Sequence, residues 1–215
     1  MNTYNLINAN IITLNKKIPS ASSLIINNGK IASIDRVNNK YPTIDLGGAT
    51  IIPGFIDAHY HLKNYGKRLS QVNLKNVTSK KIIVNKIQDK IKKVDRNQWI
   101  LGFGWDQNLW SDKNFPTKDL LNNISPNNPI YLIRIDGHSA WVNDKAIKLL
   151  ETDFDSIKRI EGGKILNDCI LIDNAMNPFR LILPKDNKSE IKSWIQLAVK
   201  ETIKKGITGV HDAWQ

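Results

Sequence analysis

Pro53-Gly54-Phe55-Ile56-Asp57-Ala58-His59-Tyr60-His61-Leu62 ends an apolar run that begins at Thr50, and it ends it in two histidines spaced i, i+2. Side chains two apart on an extended chain leave from one face, so this spacing allows both imidazoles to reach one ion. Neutral imidazole suits zinc and its first-row neighbours, and the Asp57 carboxylate stands where it can orient a ring. Two solvated histidines at a strand end fit the same letters. Spacing alone leaves the two readings level.

Downstream of this run, strand and helix signals alternate, which argues for parallel βα architecture. Thr78 or Ser79 caps a basic amphipathic helix running to about residue 94. Residues 99–103 read as a strand, Pro116-Thr117 opens a short helix through Leu120 and Leu121, and residues 129–135 form a near-continuous apolar strand. Asn143 caps a further helix. Residues 161–174 read as a hairpin turning at Gly162-Gly163. A longer helix spans about 189–205 with Ile191, Trp194, Ile195, Ala198 and Ile203 along its stripe, Gly206 stops it, and residues 207–210 are the last strand. Upstream, residues 4–46 carry short apolar runs with a turn at Asn27-Asn28-Gly29, the pattern of a small sheet.

Composition removes several function classes. Lys+Arg is 31 against Asp+Glu 20, a formal net charge of +11. The lysines are scattered, and their densest cluster, from Lys80 to Lys93, interleaves with Ile82, Ile83, Ile87, Ile91 and Val94 as the solvated face of a helix. The aromatic and basic residues do not interleave in the way that stacks bases, so nucleic acid is not an expected partner. Cys169, the single cysteine, excludes an intramolecular disulfide and sits in an apparent strand as a small hydrophobe. No apolar stretch approaches the roughly 18 residues of a membrane span, and no secretory signal is visible at Met1-Asn2-Thr3-Tyr4. A cytoplasmic protein is expected.

Residues 51–61 closely resemble the first barrel strand of the amidohydrolase superfamily, whose members carry PGFIDxHxH there. Gly102-Phe103-Gly104-Trp105-Asp106, the segment Arg134-Ile135-Asp136-Gly137-His138-Ser139-Ala140-Trp141-Val142-Asn143, and Gly206-Ile207-Thr208-Gly209-Val210-His211-Asp212 are similar to the amidohydrolase-3 branch, the group with YtcJ-like proteins and N-substituted formamide deformylases. The resemblance implies an α/β protein: a partial (β/α) TIM barrel of metal-dependent hydrolase type over 50–215, preceded by residues 1–49 as the N-terminal part of a small composite β domain. A whole barrel takes on the order of 250 residues. At 215 residues, the chain is expected to be the N-terminal portion of a longer enzyme, with a short native form reusing half the fold as the alternative.

The implied activity is metal-dependent hydrolysis of carbon–nitrogen bonds of non-peptide amide type in a small-molecule substrate. Within the superfamily, a cyclic amidase or a deaminase would share the first strand. A non-catalytic remnant, or a subunit needing a complementary C-terminal chain or a homo-oligomer, is the alternative outside catalysis. The resemblance makes His59 and His61 ligands of a divalent metal, zinc by donor preference, and places the general base beyond Gln215. Barrel strands deliver functional groups at their carboxyl ends, so Trp105, Asp106, Asp136 and His138 are candidate substrate-binding residues: Trp105 as an apolar pocket wall and Asp106 as a loop contact, with plain core packing as the alternative for both, and Asp136 and His138 as hydrogen-bonding groups, with loop anchoring as the alternative for the histidine. His211 is a further site residue, either another ligand or a hydrogen-bonding group at a strand end.

Overall fold

The computed structural model describes residues 3–213. They divide into two compact units: one joins the chain up to Tyr60 with the segment from Thr202 onward, and the other is 61–201. In chain order the first unit opens with β1 (Thr3–Ile7), β2 (Asn10–Asn15), β3 (Ile18–Ala21), β4 (Leu24–Asn27), β5 (Lys30–Ile34), β6 (Thr43–Asp45), β7 (Thr50–Ile51) and β8 (Phe55–Tyr60). The strands β5-β4-β1-β6 form one sheet and β3-β2-β7 another. The β4–β5 turn falls at Asn28 (φ 49) and Gly29 (φ 76), the left-handed pair that a two-residue hairpin needs and that Asn-Gly supplies with little strain. Ala9, Ile11 and Leu24 make the small core of this region. Asn5 is fully buried in it, with its amide donating to Asn38 O (3.0 Å), Tyr41 O (3.2 Å) and Thr43 Oγ1 (3.0 Å), which pins the 38–43 loop.

The second unit contains α1 (Leu62–Ser70), β9 (Val72–Asn73), α2 (Lys80–Ile91), β10 (Ile100–Trp105), α3 (Asp119–Ile124), β11 (Ile130–Arg134), β12 (Ser139–Val142), α4 (Asp144–Ile147), α5 (Phe154–Ile157), β13 (Gly163–Leu166), β14 (Ile170–Asp173) and α6 (Asn177–Ile182). The helix α7 (Lys188–Ile203) then leads to β15 (Ile207–Asp212). One six-stranded sheet, ordered β13-β14-β12-β11-β10-β9, organises this unit. It is buried on both faces. Ile130, Leu132, Trp141 and Ile170 pack with Ile83, Ile87 and Leu121 on one side, while Tyr131, Ala140, Val142 and Leu171 pack with Ala146, Ile157 and Phe179 on the other. Residues alternating along each strand therefore enter different cores, and residues 129–133 are apolar without interruption for that reason.

The caps follow the sequence. Ser79 accepts from Ile82 N at α2, Asn143 accepts from Ala146 N at α4, and at the start of α7 the Asn187 and Glu190 side chains each accept the other's backbone N–H. Gly206, at φ 79, ends the turn after α7. No helix among the described residues is long and apolar enough to cross a membrane.

Two expectations are corrected. The strand partners differ most. β9, β10 and β11 run parallel, but the sheet continues through antiparallel β12, β14 and β13, whereas β8 pairs in parallel with β15. The strands expected to follow β8 in one barrel thus belong to a separate unit set between β8 and β15 in the chain. Residues 139–142 form a strand of their own, β12, in which Ala140, Trp141 and Val142 fill both cores. The hairpin turns at Asn167 and Asp168 (φ 52 and 51), not at Gly162-Gly163. Asn and Asp tolerate the left-handed region almost as a turn glycine does, and Gly163 is needed at the first position of β13, where a Cβ would lie 2.7 Å from Ala175 N.

Candidate functional site

In the first unit the polar residues collect at the carboxyl ends of two adjacent parallel strands. His59 lies in β8, and Asp57 Oδ1 accepts the His59 backbone N–H at 3.0 Å; His61, as the N-cap of α1, opens the second unit. The register pairs Val210 with Asp57 and Asp212 with Tyr60, which sets His211 alongside Ala58 and His59. Tyr60 Oη and Thr202 Oγ1 are 2.8 Å apart, so the last turn of α7 covers the Tyr60 face of β8. Alternation turns Asp57 and His59 to the opposite face. Gly54 and Gly206 permit the close pairing at the other end: a Cβ on Gly54 would fall 2.2 Å from Thr208 Oγ1, and Phe55 N donates to Gly206 O at 2.9 Å.

In the second unit a separate polar cluster forms where β10, β11, β12 and β14 present their ends. Arg134, at the end of β11, directs Nε to Gln107 Oε1 (2.9 Å), one terminal nitrogen to Asp106 (3.3 Å) and the other to Asp136. All three nitrogens of this largely buried guanidinium are engaged, so it holds two carboxylates in place rather than offering itself to an anion. Asp136 also accepts the His138 backbone N–H at 3.0 Å across the left-handed Gly137 (φ 78). The His138 ring is exposed, and its Nδ1 lies 2.9 Å from Asp173 Oδ1. A carboxylate there selects the Nδ1–H tautomer and makes Nε2 the acceptor nitrogen of the neutral ring.

Of the two roles open to Trp105, pocket wall and core packing, its position is that of a core residue. Its side chain is fully buried among Trp110, Phe115 and Trp141, and Nε1 donates to Leu132 O at 2.8 Å. It packs the core and gives a floor to the guanidinium of Arg134, 5.9 Å from its ring centroid. Arg134 joins Asp106 to Asp136, and Asp136 in turn holds the His138 backbone. Arg134 and Asp173 were missed. An arginine closing an otherwise apolar strand was a readable signal for the first. For Asp173 the informative feature is conformational: φ 47 with ψ −117 is a strained backbone for a non-glycine residue. Among the described residues, no three or more His, Cys, Asp or Glu side chains gather in a group that could hold a metal.

The mixed α/β architecture is one this chain shares with solved metal-dependent hydrolases. The chain belongs to the amidohydrolase family, in its amidohydrolase-3 branch: the family model described as "Amidohydrolase family" matches residues 42–215. It is 30% identical over 219 residues to "Protein LONG AFTER FAR-RED 3" of Arabidopsis thaliana, covering 95% of this chain and 37% of that protein. It is 29% identical over 190 residues to "Putative amidohydrolase YtcJ" of Bacillus subtilis (strain 168), covering 83% and 36%. Among solved structures, an uncharacterized metal-dependent hydrolase from Pyrococcus furiosus superposes with a TM-score of 0.68 at 26% identity, covering 97% of this chain and 43% of that one. The chain thus spans less than half the length of each of these relatives.

Proposed function

We propose that this chain is the N-terminal portion of a metal-dependent hydrolase acting on carbon–nitrogen bonds of non-peptide amide type, with β8 and β15 as neighbouring strands of its (β/α) barrel. The observation that carries the reading is the family match over residues 42–215, which includes the His59-Tyr60-His61 end of β8. The chemistry of the donors fits a divalent ion, zinc before others, because two neutral imidazoles two residues apart suit it and the strand stays extended through Tyr60. When bound, such an ion would supply Lewis acidity and a water of lowered pKa.

His59 and His61 would hold the ion, with Asp57 keeping the His59 backbone in place through the bond it accepts there. His211, beside His59 in the register, is a candidate for a further ligand or for a hydrogen bond to substrate. Asp106, Asp136 and His138 would orient a small-molecule substrate. Here Arg134 fixes the carboxylates and Trp105 contributes support from the core rather than contact.

The second reading, a scaffold without activity of its own, is favoured by one observation: the described residues gather no three-ligand group. Catalytic zinc commonly keeps about three protein ligands plus water. Residues 1–215 alone should therefore hydrolyse amides poorly, and a complementary C-terminal chain should restore turnover. Metal content after dialysis against zinc buffer, measured on the completed protein, tests the assignment. His59→Ala and His61→Ala should each lose the bound metal and the amidase activity together. Undiminished metal in both variants would remove these residues from the ligand set.

A further inference from the structure

The 61–201 unit contains a cleft of about 380 Å³ to which no function has been given. It lies where the carboxyl end of α1, the last turn of α2, the start of β10 and the first turns of α7 meet. Trp99 and Leu101, at the amino end of β10, line it. The Arg134 cluster sits past the other end of that strand, roughly 17 Å away at about 3.3 Å per residue. The volume falls at the small end of the roughly 300–1,000 Å³ typical of ligand pockets.

Two lysines face this cleft in different states. Lys67 is compensated: its ammonium pairs with Asp186, which also takes Lys63 at 3.5 Å, and lies 5.1 Å from the Trp194 ring centroid. Lys90 is not. Its Nζ donates to the Ser70 carbonyl at 2.9 Å, and among the described residues no carboxylate forms an ion pair with it. Partial withdrawal from water and the neighbouring Lys93 both lower its pKa, so the charged form is held at a cost. An ammonium has three donors, and one carbonyl satisfies one of them.

Beside the polar Ser70, Gln71 and Gln98, the lining carries flat apolar surface. Trp99 and Trp194 are both half-buried, and Leu101 lies beside Trp99 with its other side against the core. Glu190 stands at the rim, where its carboxylate accepts Asn187 N at 3.3 Å within the α7 cap. That fixed negative charge disfavours a dianion such as phosphate more than a monoanion.

We propose that this cleft is a binding site for a monocarboxylate carried on a planar apolar ring, the carboxylate on Lys90 and the ring against Trp99 and Trp194. Such a ligand supplies the counter-charge that the protein withholds from Lys90. It also covers indole surface that would otherwise face water.

Benzoate and benzylamine present the same ring with opposite charges, which makes them suitable probes. Binding of each to the 215-residue protein is titrated by amide chemical shifts and by Trp fluorescence. Benzoate should saturate and perturb the amides of Ser70, Lys90 and Trp99, binding about tenfold or more tightly than benzylamine, as a partly desolvated charge-assisted bond requires. Lys90→Gln should weaken benzoate by about tenfold while leaving benzylamine unchanged. Lys90→Arg, which keeps the charge, should retain most of the affinity and guards against a mere packing effect. Equal binding of the two probes, no saturable benzoate binding, or a Lys90→Gln protein that binds benzoate normally would each overturn the assignment.

Discussion

Replacement of Asn143 by alanine tests whether a helix cap in this chain is also the bolt of its sheet. The Asn143 side chain is fully buried. Its Oδ1 accepts Ile130 N at 2.9 Å and Ala146 N at 3.0 Å, and its Nδ2 donates to Ser125 O and Asn128 O at 3.0 Å each. Loss of the α4 cap alone costs about 1 kcal/mol. The Ile130 N–H, at the buried start of β11, is left without its acceptor at about 1–3 kcal/mol, and the Ser125 carbonyl loses a donor at about 1 kcal/mol. Asn128 O loses less because the Ser125 hydroxyl still reaches it at 3.1 Å. The expected total is roughly 3–5 kcal/mol. Ser79→Ala is the control: that side chain caps α2 through one exposed 3.4 Å bond and should cost about 0.5–1 kcal/mol. Urea unfolding followed by fluorescence suits both variants, because Trp105, Trp110 and Trp141 are buried in the same unit. A destabilisation by Asn143→Ala within about 1 kcal/mol of the control would refute the argument that the residue serves β11 as well as α4.

Gly66→Ala should destabilise despite alanine's higher helix propensity, since a Cβ would fall 1.9 Å from the Trp194 carbonyl oxygen; about 1–3 kcal/mol or more is expected from thermal melts. Burial pushes the Cys169 thiol up from 9.0 to about 12 and the Tyr131 phenol from 10.0 to about 12. In both cases the unfolded chain sheds its proton first, so their contribution to stability is full below pH 9 and falls as pH rises toward 12. Melting temperature should decline through that window, less so in Cys169→Ala, and iodoacetamide should label Cys169 in urea but not in the folded protein.

Much of the local structure was legible in the letters. Ser79, Asn143 and Gly206 announced helix ends, and Asn28-Gly29 announced a hairpin, because capping and left-handed turns depend on a few neighbouring atoms. The near-continuous apolar run of residues 129–135 announced a strand covered on both faces, and Ile130–Arg134 is one, set between two cores. His138 beside Asp136 was recognisable as a polar strand-end pair, and the two share a hydrogen bond. The family itself was readable in the strand-end motifs, and the match over residues 42–215 bears it out.

Partner choice was not legible, because alternation identifies a strand without saying which strand lies beside it. β10 and β11 carry the same apolar character as β8, yet they join β12, β14 and β13, while β8 takes β15 from the far end of the chain. That choice rests on long-range packing, in which the 61–201 unit closes its own sheet between two faces of helices. Burial decided the rest. Trp105 and Asp106 are adjacent in the sequence, but alternation sends the indole into the aromatic core and the carboxylate to Arg134, a separation that only the tertiary structure could make.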